Sequence, residues 1–309
     1  MRTLLATFSV LAAALAAHAQ GTVQWQTDPR TAIAQAKATG KPLMVYVRAS
    51  SSERSGDDDV DRDHQRSFRD QRVLRIAASF IPLRLSASRD RAILGEFGLS
   101  QSASMEMAFV SPDGESLGPT LSAGGIGQPE SLAKRLRQAL DAYGTKIYQK
   151  ELKPIIDDKD AKTDALRNAL NRVADLGVRA ADRDVIAVLE RENLDPPIRN
   201  AALATLAALS TPASAKHLLK LAREDDATAL KQLEKLTPIG AEALLDEITD
   251  KDGNVDFAAY NAVVRSCRIA APKAKKFFEN AAPAVAAKEV ERVVGLAKTA
   301  IQNWKRDNE

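Results

Sequence analysis

The chain has a single cysteine, Cys267, in 309 residues. No internal disulfide can form, so stability has to come from packing. Neither sign of charge dominates, with 44 Lys and Arg against 41 Asp and Glu and a formal charge of +3. A nucleic-acid footprint needs basic residues gathered on one face, so no nucleic-acid partner is expected. No apolar run reaches the ~20 residues that span a bilayer. The apolar stretch Leu4 to Ala16 is too short for that purpose. It follows Met1-Arg2-Thr3 and precedes Ala17-His18-Ala19, which reads as a secretory signal peptide over residues 1–19, cleaved before Gln20. The expectation is a periplasmic or secreted protein with no transmembrane segment after cleavage, and in such an oxidising space a lone cysteine is unusual.

The chain is also too long for one core, so two domains are expected. In the first half, Asp28-Pro29 reads as an N-cap followed by proline at the first helical position, and Gly40 as the C-cap of that helix. Leu43 to Val47 then reads as a buried strand that runs into Ser50-Ser51-Ser52-Glu53-Arg54-Ser55. Residues 56–72 carry Asp57, Asp58, Asp59, Asp61 and Asp63, overlapping Arg62, Arg66, Arg69 and Arg72. Acids first and bases later suit a helix dipole, so this segment is predicted to be a solvated helix with His64 on its surface. Further strands are expected near Phe80 to Leu85, Met105 to Val110 and Ser116 to Leu121, with a helix at Ser88 to Phe97 and another at Pro129 to Tyr143. Gly124-Gly125-Ile126-Gly127 lacks the strand before it and the lysine after it that a phosphate loop needs, and reads as a flexible loop.

Beyond Lys150 strand signals vanish, and apolar helical blocks broken by Pro, Gly, Asn or Asp take over. Helices are predicted over residues 163–176, 179–192, 196–209, 213–224, 226–236, 239–249 and 257–267, with two more reaching Trp304. Asp250-Lys251-Asp252-Gly253-Asn254-Val255-Asp256 looks like the start of an EF-hand loop, but Ala259 stands where the bidentate glutamate belongs, so an acidic inter-helix turn is expected. His217 is expected to be partly exposed on a helix.

Two resemblances follow from these patterns. The order strand, helix, strand, helix, two antiparallel strands, helix over Val23 to Tyr143, entered through Trp25 and Lys41-Pro42, resembles secreted thioredoxin-like domains. On that resemblance Ser51 falls at the tryptophan of the motif, Ser52 and Ser55 at its two cysteines, and Met105 at the cis-proline. Ser67-Phe68-Arg69-Asp70 with Val73 and Phe109 with Pro112-Asp113-Gly114 resemble flanking family segments. Serine cannot form the thiolate on which disulfide exchange depends, so the resemblance implies a redox-inactive domain. The second half, through Asp195-Pro196-Pro197 to Leu206 and then Ala213 to Glu224, resembles a HEAT-type helical pair, with Asp226 to Thr249 as a degenerate next copy. Stacked pairs of this kind commonly bind proteins.

The expected architecture is therefore an α/β thioredoxin-like domain over residues 20–150 followed by an all-α HEAT-like domain over residues 151–309. The expected function is that of an exported, non-catalytic interaction or scaffold protein. Its partner would be another protein or peptide, contacted through Ser51, Ser52, Arg54 and Ser55, whose hydroxyls and amides lie where a helix N-terminus begins. No catalytic residue, cofactor or metal is assigned. A serine hydrolase using His64 lacks an elbow motif, and the aspartates of 57–63 with His64 match no calcium loop. The enzyme-class alternative is a thiol-disulfide oxidoreductase-like or chaperone-like envelope protein with residual activity.

Overall fold

A computed structural model describes residues 21–48, 57–102 and 104–308, giving the backbone alone for residues 57–59 and 61. The expected signal peptide and the segment holding Ser51, Ser52, Arg54 and Ser55 lie outside the described residues. The chain divides into two compact units, one ending at Tyr143 and the other beginning at Gly144.

The first unit is built around β1 (Leu43–Arg48), whose residues are buried on both sides up to Val47. A strand apolar on both faces must be covered on both. β1 pairs in parallel with β2 (Ile81–Ser86) and antiparallel with β3 (Glu106–Val110), so the sheet order is β2-β1-β3. Single bridges extend it at each edge: Gln26 lies parallel to Leu83, while Leu121 and Ser116 lie antiparallel to Met107 and Val110. The fourth strand expected over 116–121 is thus reduced to two bridges. Gly118, at φ 109°, and Pro119, which has no N–H to donate, interrupt the ladder between them.

On one face, Leu43, Val45, Val47, Ile81, Leu83 and Leu85 pack with Ala32 and Ala36 of α1 (Pro29–Thr39) and with Leu94 and Phe97. Asp28 caps α1 by accepting from the Thr31 amide at 3.1 Å, and Gly40 ends it in the left-handed region at φ 62°. Both are the roles read from the sequence. The helix expected at 88–97 is instead a 3-10 segment, Arg91–Phe97, closed by Gly98. The opposite face of the sheet carries Met44, Tyr46, Met107 and Phe109, all buried. The charged segment splits here: α2 (Asp57–Ser67) stops, and Asp70 caps a second helix, α3 (Gln71–Ala77).

The glycine-rich run is no flexible loop either. Ala123–Ile126 forms one helical turn, α4, with Ile126 fully buried. Behind it, α5 (Pro129–Ile147) sends Arg135 inward, 7% exposed. Its Nε donates to the Pro119 carbonyl and its Nη2 to the Leu117 carbonyl, each at 3.0 Å, and its guanidinium lies 5.1 Å from the centre of the Phe109 ring. A Cβ on Gly118 would stand 2.6 Å from Nη2, so a side chain there would displace the guanidinium, and the backbone angle itself favours glycine.

The second unit is helical throughout its core, which begins at Tyr148 and Leu152. After α6 (Lys153–Asp157) come α7 (Thr163–Leu176), α8 (Asp182–Leu189), α9 (Pro196–Leu209), α10 (Pro212–Arg223), α11 (Ala227–Leu233), α12 (Pro238–Glu242), α13 (Phe257–Ser266), α14 (Ala274–Phe278) and α15 (Pro283–Asn308). The helices expected at 179–192, 226–236 and 239–249 are shorter than their apolar patterns, ending in 3-10 turns or capped loops. α9 is the most enclosed, with Ile198, Leu203, Leu206 and Leu209 among its buried side chains.

An aspartate stands at the N-cap of α9, α11 and α13, namely Asp195, Asp226 and Asp256, at roughly thirty-residue intervals. Each accepts from a side chain of an earlier helix. Thr163 Oγ1 donates to Asp195 at 2.8 Å, Arg199 to Asp226, and Arg223 Nε to Asp256 at 2.7 Å. At the far end Val293, Ala297 and Ile301 of α15 are buried, and Lys305 pairs with Glu242 at 2.8 Å. Among the described residues no helix is long and apolar enough to cross a membrane.

Candidate functional site

The helical period places Val60, His64, Ser67 and Phe68 on one side of the charged segment, and that side faces the sheet. His64, Ser67 and Phe68 are fully buried. The surface position expected for His64 is therefore corrected: Arg62, Asp63 and Arg66 are exposed on the outer face, where Asp63 and Arg66 pair at 3.4 Å. His64 meets Tyr46, which β1 points to the same side. The Tyr46 hydroxyl lies 3.0 Å from His64 Nδ1 and 3.3 Å from the sulfur of Met105. The second ring nitrogen, Nε2, lies 2.8 Å from the Ala123 carbonyl of α4. A carbonyl can only accept, so Nε2 carries the hydrogen.

Trp25 and Phe68 close the cluster. The Trp25 ring is 5.6 Å from Tyr46 and 5.0 Å from Phe68, and Phe68 stands edge-on to Tyr46 at 5.3 Å. Met105 is the one assigned position that the described residues include. It is 5% exposed and holds φ 56°, a left-handed angle unusual for a side chain of its size. The structure thus brings Met105 to Tyr46 and His64, a grouping that sequence reasoning missed. Tyr46 was hidden inside an apolar strand. His64 was hidden by its charged neighbours, although the spacing 60, 64, 67, 68 carried the signal.

This geometry bears on the hydrolase reading. A histidine serving as a general base must turn one nitrogen to the nucleophile. Here Nε2 is committed to a carbonyl and Nδ1 lies against a tyrosine. For metals, no group of three or more His, Cys, Asp or Glu side chains converges among the described residues. In the loop that resembles an EF-hand, Asp250 accepts from the amides of Asp252 and Asn254 and from the Asn254 side chain. Asp256 caps α13 and pairs with Arg223. These carboxylates fasten a turn, closed by the Thr249–Val255 bridge.

Three polar groups in the second unit complete the survey. Burial pushes the Cys267 thiol up to about 11. Burial also lowers the pKa of His217, and its Nε2 has no hydrogen-bond partner among the described residues. Tyr148 is held protonated by burial and by its hydrogen bond to Asp184, which Lys153 also reaches at 2.8 Å. Cys267 and Tyr148 sit inside the helical core and serve packing, while His217 is half-buried on α10, the partly exposed helix position expected of it. Compared with protein-family profiles, with curated proteins and with solved structures, the chain matched none.

Proposed function

We propose that the chain is an exported, non-catalytic interaction protein, built on a redox-inactive thioredoxin-like domain and a HEAT-like helical array that bind another protein or peptide. The observation that carries this reading is the state of the one thiol. Cys267 is buried, lies in the second unit and is held well above the range in which a thiolate forms at neutral pH. Ser52 and Ser55 stand at the positions that the resemblance assigns to cysteines.

The fold part of the reading draws support from the sheet. Its sequence of segments, Gln26 beside β2, then β1, β3 and the 116–121 segment, has the first three parallel and the last two antiparallel. That agrees with the strand pattern on which the resemblance rests. The array part draws support from the recurring aspartates at helix starts, each of which accepts from a side chain of an earlier helix.

The discriminating experiment is insulin reduction in the presence of dithiothreitol, using the chain without residues 1–19. No acceleration over the reagent alone is expected. Turnover would overturn the non-catalytic reading and favour a residual oxidoreductase. For the binding role, a photo-crosslinker at Arg54 is expected to capture a protein or peptide from envelope extract that the Ser52→Trp variant does not capture. Equal labelling in both would remove Ser51 to Ser55 from the contact surface.

A further inference from the structure

We propose that the corner of the second unit built from α14 and the first half of α15 is a membrane-contact surface, which seats on a bilayer containing anionic lipid headgroups. Exposed lysines supply the attraction, and exposed apolar side chains enter the interface. This contact is separate from the one proposed for Ser51 to Ser55, so either can fail without the other.

Positive charge is concentrated at this corner. Residues 268–288 hold five Lys and Arg, namely Arg268, Lys273, Lys275, Lys276 and Lys288, against one acid, Glu279. The whole chain carries a formal charge of only +3, so its remaining residues are close to neutral. All five cations are exposed, and none forms an ion pair with a described residue. The acids that follow do not cancel them. Glu289 is held by Arg292 at 2.7 Å and by the Tyr260 hydroxyl at 3.0 Å. Glu291, six residues after Val285, faces about 120° away from it around the helix.

The same corner exposes apolar side chains. Among the described residues the large apolar side chains left exposed are Val285, at 51%, and Leu296, at 45%, both on α15. They stand eleven residues apart, close to three full turns, so they share one flank about 16 Å long. Lys288 lies on that flank, one turn after Val285. Arg292, between Val285 and Leu296, donates through Nη2 to the Ala270 carbonyl at 3.0 Å, which brings the 268–272 stretch beside the flank. Ala270 and Pro272 are exposed there, as are Ala282, Pro283 and Ala284 ahead of Val285. α14 is held to the core by buried Ala274 and by Phe278, edge-on to Tyr260 at 5.0 Å, and this leaves Lys275 and Lys276 outward. Such a surface suits a bilayer better than an acidic protein. Lysine ammoniums act as point charges that need no fixed geometry, unlike the planar fork with which arginine holds a carboxylate. Anionic headgroups attract clustered lysines, and the acyl boundary beneath them takes apolar side chains without a matching pocket.

The test is co-sedimentation of the chain without residues 1–19 with vesicles of phosphatidylcholine, alone and mixed with phosphatidylglycerol. Binding is expected to the mixed vesicles, weakening as salt is raised, and far less to phosphatidylcholine alone. Lys273→Gln, Lys275→Gln and Lys276→Gln together are expected to lower the affinity on the order of a hundredfold. Val285→Ser with Leu296→Ser is expected to lower it several-fold and leave the salt dependence unchanged. A chain that ignores the mixed vesicles would sink the proposal, as would a triple variant that binds them as well as the unsubstituted chain. Binding to soluble polyglutamate in place of vesicles, lost in the triple variant, would also sink it and assign the corner to an acidic protein. Should the triple variant fail to fold, Val285→Trp decides. Its added fluorescence is expected to be quenched by brominated lipid in the mixed vesicles, and an unquenched signal would remove α15 from the contact.

Discussion

At the scale of single residues, the second unit holds two groups whose protonation is set by burial. His217 has its pKa lowered chiefly by desolvation, with Lys220 and Arg199 adding to that and Glu190 and Glu224 opposing it. A histidine depressed in the folded state binds its proton more tightly when unfolded. Its contribution to stability is therefore complete above the unfolded value of about 6.5 and is lost as the pH falls below it. The urea midpoint is expected to drop between pH 7.5 and pH 5, and His217→Gln is expected to flatten that drop. An equally steep pH profile in the variant would assign the acid sensitivity to other groups. Cys267, pushed up to about 11, is expected to react with a disulfide reagent at pH 8 only as fast as the second unit opens. Labelling that ran at the rate of a free thiol, with no dependence on urea, would contradict its burial.

At the scale of elements, Asp226 has two tasks. It accepts from the Thr228 and Ala229 amides at 2.8 and 2.9 Å, capping α11, and it receives Arg199 from α9. Asp226→Ala removes both, and a loss of about 1–2 kcal/mol is expected in urea unfolding. Asp226→Asn keeps the cap and the neutral hydrogen bond, so it is expected to recover at least half of that loss. The same elements show what could be read from the sequence. Helix ends marked by proline or glycine were legible, as at Pro29, Gly40, Pro196 and Gly177, because these residues fix backbone angles locally. At 116–121 the breakers Gly118 and Pro119 were in plain view, but the arginine that takes the carbonyls of Leu117 and Pro119 comes from a distant helix and leaves no local sign. His64 shows the same limit at the site: its composition window is acidic and basic, and only its helical phase placed it inside.

At the scale of the molecule, each unit has its own buried core. One centres on the faces of β1 and the other on α9. Independent cores should survive separation. Residues 144–309 expressed alone are therefore expected to show helical circular dichroism and one cooperative urea transition. An insoluble or non-cooperative fragment would mean that the helical unit folds only on the first. The two-part organisation was legible from the disappearance of strand patterns after Lys150. The helix starts at Asp195 and Asp226 were legible too, whereas the contacts those aspartates make with Thr163 and Arg199 were not, because no local pattern carries a contact between separate helices.

Arg135 gives the first unit a fixture of a different kind from the His64 cluster. Its guanidinium keeps its charge throughout the pH range in which a protein folds. Its partners are two carbonyls and a phenyl ring, none of which titrates. Among the described residues no carboxylate pairs with it for acid to neutralise, and burial keeps salt ions from competing for the guanidinium. The seam between β3, the 116–121 segment and α5 thus rests on contacts that neither acid nor base discharges in the range where the chain is folded.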